Sequence, residues 1–280
     1  MKNILRTKRC LCLLSWVFLL AVFLPPPARA QRPTFAIVSD SHVGASNSVY
    51  PAFVRAIKEA GIDMVIHTGD AIDIPENRRQ WRAFLEATSP VSKFYLAPGN
   101  HDIRGRTGLS VYLRYFPKPY YSFSEDDTLF VLLNTELPGE EGMIAGEQLD
   151  WLKTELERPF RYKLVFLHEP LFPVIPLHGL DRHVPERDRL HSLFVRSGVC
   201  LVVSGHDHVY NRIAKDGIAY VISGATGGTL PTLLSNGDPF RYIVVVGKND
   251  GYSFSVKDME GITRDEFFLK RPTERRRTVE

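Results

Sequence analysis

The sequence predicts an α/β fold whose sheets are covered on their faces by helices. Three features lead there: short apolar runs rich in β-branched residues recur along the chain, amphipathic stretches separate them, and most runs are continuously apolar. A continuously apolar strand is buried on both faces, and strands alternating with helices build layered α/β domains. Of the 280 residues, 44% are apolar and 24% charged. That composition excludes a disordered tail, a collagen-like repeat and a coiled coil. The length suits one domain, or at most two, with a large buried core.

The elements follow in order. Phe35-Ala36-Ile37-Val38 reads as the first strand, and residues 50–60 as a helix stopped by Gly61. Met64-Val65-Ile66 is a second strand, 76–87 a second helix, and Phe94-Tyr95-Leu96 a third strand. Strands are expected at 129–133, 164–167, 199–203 and 220–222, and helices at 146–157 and 185–197. Two last runs, 242–246 and 252–256, flank the turn sequence Lys248-Asn249-Asp250-Gly251 and read as a hairpin.

Residues 1–30 read as a signal peptide. Lys2, Arg6, Lys8 and Arg9 form the basic region, 11–24 the apolar stretch, and Ala28-Arg29-Ala30 a cleavage site with Gln31 as mature start. The expectation is a secreted or periplasmic protein. The apolar stretch falls short of the ~20 residues of a membrane span, and an uncleaved anchor is the alternative. A domain over 31–270 is expected, then a basic solvated tail over 271–280 with Arg275-Arg276-Arg277; a contact to anionic lipid or a partner is that tail's sharper reading. The formal charge of +3 includes five basic residues of the leader; without them 30 basic face 32 acidic residues, a net of −2. A body so balanced lacks the basic excess of a nucleic-acid binder. Cleavage removes Cys10 and Cys12 and leaves Cys200 as a lone thiol in an apolar run, so the mature chain has no internal disulfide.

The chemistry-bearing residues fall where predicted strands stop. The clusters are Asp40-Ser41-His42, Gly69-Asp70, Gly99-Asn100-His101-Asp102, His168 and Gly205-His206-Asp207-His208, and they hold five of the nine histidines. Carboxyl ends of strands are where ligands bind in α/β sheets. Asp40, His42, Asp70, Asn100, His168, His206 and His208 offer carboxylate, imidazole and amide donors without a thiolate. Such a set suits Mn, Fe, Zn, Co or Ni, leaving the metal open. Seven donors exceed the needs of one ion and suit two divalent ions sharing a carboxylate.

In this order the five blocks resemble the calcineurin-like metallophosphoesterases. The resemblance implies two packed β-sheets flanked by helices, an αββα sandwich with the metal site at the strand C-terminal ends. It implies that Asp40, His42 and His208 hold one metal, that Asn100, His168 and His206 hold the other, and that Asp70 bridges them. His101 would stand by the substrate phosphate and aid the leaving oxygen, and Asp102 would orient His101. Two divalent ions against Asp40, Asp70 and a bridging hydroxide leave a surplus of about +1, which draws an anionic ester. The hydroxide, available near neutral pH because metal lowers the pKa of water to ~7, would attack phosphorus. Asp73 stands where the purple acid phosphatases of this superfamily have a tyrosine ligand, which disfavours that branch.

An exported, metal-dependent phosphoric ester hydrolase acting on a small phosphate ester is therefore expected, leaning to phosphodiester or nucleotide substrates. A phosphomonoesterase and a non-catalytic metal-binding scaffold are the alternatives; retention of His101 and Asp102 speaks against the scaffold. His67 reads as a satisfied core histidine and His191 as a surface one. The Pro-rich segment 171–185, with His178 and His183, reads either as a cap over the substrate or as a plain connection. Its Phe172, Pro173, Ile175 and Pro176 could wall the leaving group.

Overall fold

A computed structural model describes residues 32–229 and 240–270. The leader over 1–30, the start at Gln31 and the tail over 271–280 lie outside the described residues. Two six-stranded sheets face each other. The first runs β12-β11-β10-β1-β2-β3. Its strands are β1 (Phe35–Val38), β2 (Met64–His67), β3 (Lys93–Leu96), β10 (Arg241–Lys248), β11 (Gly251–Asp258) and β12 (Thr263–Lys270). The second runs β4-β5-β6-β7-β9-β8. It comprises β4 (Tyr121–Glu125), β5 (Thr128–Leu132), β6 (Tyr162–Phe166), β7 (Leu201–Ser204), β8 (Tyr210–Lys215) and β9 (Ile218–Ser223). β1, β2 and β3 are parallel, as are β5, β6, β7 and β9; the remaining pairings are antiparallel.

Alternation along the strands builds the layers. Phe35 and Ile37 point into the space between the sheets and pack with Phe130, Phe166, Val203 and Phe254. Ala36 and Val38 point the other way, onto helices α1 (Tyr50–Glu59) and α2 (Arg78–Thr88), where Phe53, Ile57, Trp81 and Phe84 bury. On the far side, Val131, Val165 and Val202 pack against Leu152 of α4 (Gly146–Glu157) and Phe194 of α5 (Val184–Ser197). A strand with apolar side chains on both faces needs a covering layer on each, and the result is the expected αββα sandwich. Between β3 and β4 lies α3 (Gly105–Tyr112), which covers the first sheet.

Local signals fix the boundaries. The side chain of Asn77 accepts the N–H groups of Arg79 and Gln80 and starts α2. Gly198, at φ +73°, closes α5. Lys248 pairs with Gly251, so Asn249-Asp250 form the expected two-residue turn. Among the described residues no helix is long and apolar enough to cross a membrane; residues 11–24 lie outside them.

Phe130 is fully buried between the sheets, where its ring stacks 4.7 Å from Phe123 and meets Phe35 edge-on at 5.5 Å. Phe130→Ala is expected to cost about 3–5 kcal/mol in urea unfolding. The exposed Leu113→Ala is expected to stay within about 0.5 kcal/mol. Equal losses for the two would contradict this placement of the core.

Candidate metal centre

The two sheets bring five loops to one rim. Asp40 and His42 follow β1, Asp70 follows β2, and Asn100, His101 and Asp102 follow β3; His168 follows β6, and His206 and His208 follow β7. Backbone hydrogen bonds lock these loops together: Asp40 N–H to the Gly69 carbonyl (2.9 Å), His42 N–H to the Asp70 carbonyl (3.0 Å), and Gly205 N–H to the His168 carbonyl (3.0 Å). A Cβ on Gly99 would strike the Asp70 carboxylate, and one on Gly205 would strike Ser39 and Asp40. These glycines are there for close approach.

Five of the candidate ligands sit in the left-handed region: Asp40 (φ 49°), His42 (42°), Asp70 (56°), His206 (71°) and His208 (54°). That conformation costs each L-residue roughly 1–2 kcal/mol. Strain of this kind gathers where a site must aim its side chains.

Six of the seven candidate ligands place their donor atoms in two groups that share Asp70, and a third group joins His42 with Asp73 and His101. Asp40, His42, Asp70 and His208 place donor atoms within 4.8 Å of one another, and so do Asp70, His168 and His206. Asn100 Oδ1 lies 3.1 Å from His168 Nε2. Asp70 Oδ2 is 3.4 Å from His168 Nε2 and 3.7 Å from His42 Nε2. Imidazole nitrogens also converge in pairs, His42 Nε2 with His208 Nε2 at 3.2 Å and His168 Nε2 with His206 Nδ1 at 3.1 Å. Two neutral imidazole lone pairs repel at that separation, so a proton or a cation belongs between them. The far nitrogens set the tautomer: His168 Nδ1–H donates to the Thr68 carbonyl and His208 Nδ1–H to the Thr229 carbonyl, both at 2.8 Å. The set fits two divalent cations, by donor chemistry and by the Asp70 carboxylate common to both groups.

Protons show the same demand for positive charge. Burial would raise Asp40, yet the His208 charge and hydrogen bond take it down to about 2. Burial works against the Asp70 carboxylate too, and His168 holds it well below the ordinary carboxylate range. Their partners respond in kind. Against burial, Asp40 lifts His208 to about 9, and Asp70 lifts His168 well above an ordinary imidazole. His206, buried and beside the His168 charge, falls to about 2.

One expected contact is not formed. The Asp102 carboxylate makes no hydrogen bond to the His101 ring. Its carboxylate accepts the N–H groups of Ala71 (2.9 Å), Ile72 (3.4 Å) and Gly99 (3.0 Å), tying the loop after β2 to the loop after β3. A buried acid satisfies itself on whatever donors surround it, and here those are backbone amides. The His101 ring is held instead by the Asp73 carbonyl, through Nδ1. Asp73 Oδ1 also lies 3.4 Å from His42 Nδ1.

His67 is a satisfied core histidine, accepting from Gly69 N–H at 3.1 Å with Ser41 Oγ at 2.5 Å from its other nitrogen. His191 is not a surface residue; it is buried, with Tyr220 Oη at 2.7 Å and Asp216 at 2.8 Å. Sequence reasoning passed over Asp207. It accepts from Val174 N–H (2.6 Å), Ile175 N–H (3.4 Å) and His178 Nδ1–H (2.7 Å), and so clamps the 171–185 segment to the site. The His178 ring stacks on His206 at 4.0 Å. Ile175 and His178 line a cavity of about 240 Å³ with His42, Asp70, Asn100 and His101. Phe172 turns away from it, meeting Tyr220 edge-on at 4.9 Å.

The model of one family, calcineurin-like phosphoesterase, matches residues 33–210, a span that contains all seven candidate ligands and His101. The chain belongs to the calcineurin-like phosphoesterase family. A probable cyclic nucleotide phosphodiesterase of Rhodococcus erythropolis is 28% identical over 71% of this chain and 73% of that protein. The serine/threonine-protein phosphatase CPPED1 of Danio rerio is 29% identical over 51% of this chain and 50% of its own length. The chain thus spans about half of that second relative. Among solved structures, a purple acid phosphatase from yellow lupin (Lupinus luteus) seeds superposes with a TM-score of 0.71 at 16% identity. That match covers 85% of this chain and 54% of the lupin chain, and it concerns the fold. As a family member with phosphatase and phosphodiesterase relatives, the chain is a metal-dependent phosphoesterase.

A cation that binds the Nε2 atom of His208 must displace a proton held with a pKa of about 9. Mn²⁺ affinity is therefore expected to rise between pH 6 and pH 8, with release of protons. Calorimetry in buffers of different ionisation heat measures both. An affinity independent of pH, without proton release, would contradict this electrostatic picture.

Proposed function

We propose that this chain is an exported hydrolase of small phosphoric esters with two divalent metal ions at its site, leaning to phosphodiester or nucleotide substrates. The observation that carries the reading is the Asp70 carboxylate, shared by two donor groups at a cavity that His101 also lines. Asp40, His42 and His208 would hold one ion and Asn100, His168 and His206 the other, with Asp70 between. When bound, the ions supply Lewis-acid polarisation of the phosphoryl oxygens and a lowered pKa for water.

The chain's own residues do the rest. With Nδ1–H given to the Asp73 carbonyl, His101 keeps Nε2 for the substrate. As the ester P–O bond breaks, that nitrogen passes its proton to the leaving oxygen and regains one from solvent. Asn100 is a neutral donor, so the donor set holds only two carboxylates and remains attractive to an anionic ester. Asp102 and Asp207 keep the loops of the rim in place, which preserves the aim of His101 and of the donors.

The diester leaning draws support from the Rhodococcus relative, whose name is a probable cyclic nucleotide phosphodiesterase. A phosphomonoesterase is the second reading, favoured by the phosphatase relative. Export rests on the signal-peptide pattern of residues 1–30.

The test compares hydrolysis of bis(4-nitrophenyl) phosphate and 4-nitrophenyl phosphate by the Mn²⁺-loaded protein, with and without chelator. Chelator-sensitive turnover favouring the diester is expected. His101→Ala should keep its metal and lose about 10²–10⁴ in turnover, whereas Asp70→Ala should lose metal as well. Wild-type turnover by His101→Ala would remove the proton-donor role. Absence of turnover on either ester would sink the hydrolase reading.

A further inference from the structure

The two ring nitrogens of His42 face different surroundings. Nε2 belongs to the donor group, 3.2 Å from His208 Nε2 and 3.7 Å from Asp70 Oδ2. Nδ1 is buried, and among the described residues no hydrogen bond satisfies it. A buried polar nitrogen left in that condition is costly, and an imidazole that gives one nitrogen to a cation must carry its proton on the other. The Asp73 carboxylate stands nearby, with Oδ1 3.4 Å from His42 Nδ1, slightly beyond an ordinary hydrogen bond. A closure of a few tenths of an ångström (about 0.3 Å) would make the contact.

The backbone sets Asp73 in this place. Val43, next to His42, donates its N–H to the Ala71 carbonyl at 3.0 Å and accepts from Asp73 N–H at 3.4 Å, so the two loops run side by side. Helix α2 fastens the following residue, because Ile74 N–H donates to Gln80 Oε1 at 2.7 Å. The Asp73 carbonyl holds His101 Nδ1, and the rings of His101 and His42 meet edge-on at 4.6 Å. One residue thus faces two imidazoles, one through its side chain and one through its backbone. His168 and His208 send their far N–H groups to neutral carbonyls. Of these three histidines, only His42 has a carboxylate at its far nitrogen. Asp73 joins neither donor group around Asp70, so its carboxylate stands behind the imidazole rather than among the ligands.

We propose that Asp73 is a positioning residue for the ion of Asp40, His42 and His208: its carboxylate accepts the Nδ1–H of His42, fixes the tautomer that frees Nε2 for metal, and strengthens that nitrogen as a donor. The inference rests on the two-metal reading of the same site and concerns one of its two ions.

Calorimetric titration of the metal-free full chain with Mn²⁺ tests it, with no turnover involved. The wild type is expected to show two binding steps. Asp73→Asn, nearly unchanged in volume, and Asp73→Ala both keep the peptide carbonyl that holds His101. Each should weaken one step by about 10–100-fold and leave the other within about threefold. The Co²⁺-loaded variants should show a shifted visible absorption for one ion, while thermal unfolding of the metal-free chain stays as in the wild type. Two steps unchanged in both variants, or two steps weakened alike, would overturn the inference and leave the two-metal reading standing. A third ion in the wild type that Asp73→Asn loses would make Asp73 a ligand and overturn it as well. A wild type that binds fewer than two ions would overturn the inference and the two-metal reading together.

Discussion

Everything at the rim answers to two carboxylates buried side by side. Asp40 and Asp70 are 0% and 2% exposed. A buried negative charge needs a positive partner or a set of hydrogen-bond donors. Here the partners are imidazoles, His208 for Asp40 and His168 for Asp70. With protons alone the balance is local and depends on pH. With divalent cations bound, the same donors would serve as a ligand set, and the imidazoles would return to their neutral form. The close-packed glycines and the left-handed backbone at five candidate ligands follow from aiming so many donors at one small volume.

The fold makes that convergence possible. Parallel strands from two sheets end at the same rim, three loops coming from the first sheet and two from the second. Neither sheet alone carries both donor groups, because Asp70 belongs to one and His168 and His206 to the other. Two buried acids that hold no metal in this scheme join the loops. Asp102 gathers the amides behind β2 and β3, and Asp207 gathers the segment that carries His178. Each acid stands within a ligand motif, so the chain stretches that supply the donors also supply the fastenings.

The buried strands and the clusters at their ends were legible because continuous apolar runs and histidine-rich breaks are strong signals. Three strands and one α-helix were not foreseen, for physical reasons. β4, β8 and β12 are edge strands, charged or half-exposed, so they lack a continuous apolar run. α3 contains two glycines in eight residues, which weakens its helical pattern. At the site, residue types suggested the donors, but not which acid meets which partner. Asp102 sits next to His101 in the chain, yet its carboxylate turns to backbone amides, and the carbonyl that holds His101 comes from Asp73, an interaction that leaves no side-chain signature. Asp207 was overlooked because its work is to accept from two amides and one imidazole in a loop distant in sequence. His191 looked like a surface residue on a helix until Tyr220 and Asp216 closed over it.

The central claim is that one carboxylate, Asp70, joins two metal positions. Electron paramagnetic resonance of the purified, Mn²⁺-loaded protein tests this most directly, alongside metal analysis. Two ions per chain with a spin-coupled signal are expected. A single ion per chain, or two ions giving only uncoupled signals, would contradict the account.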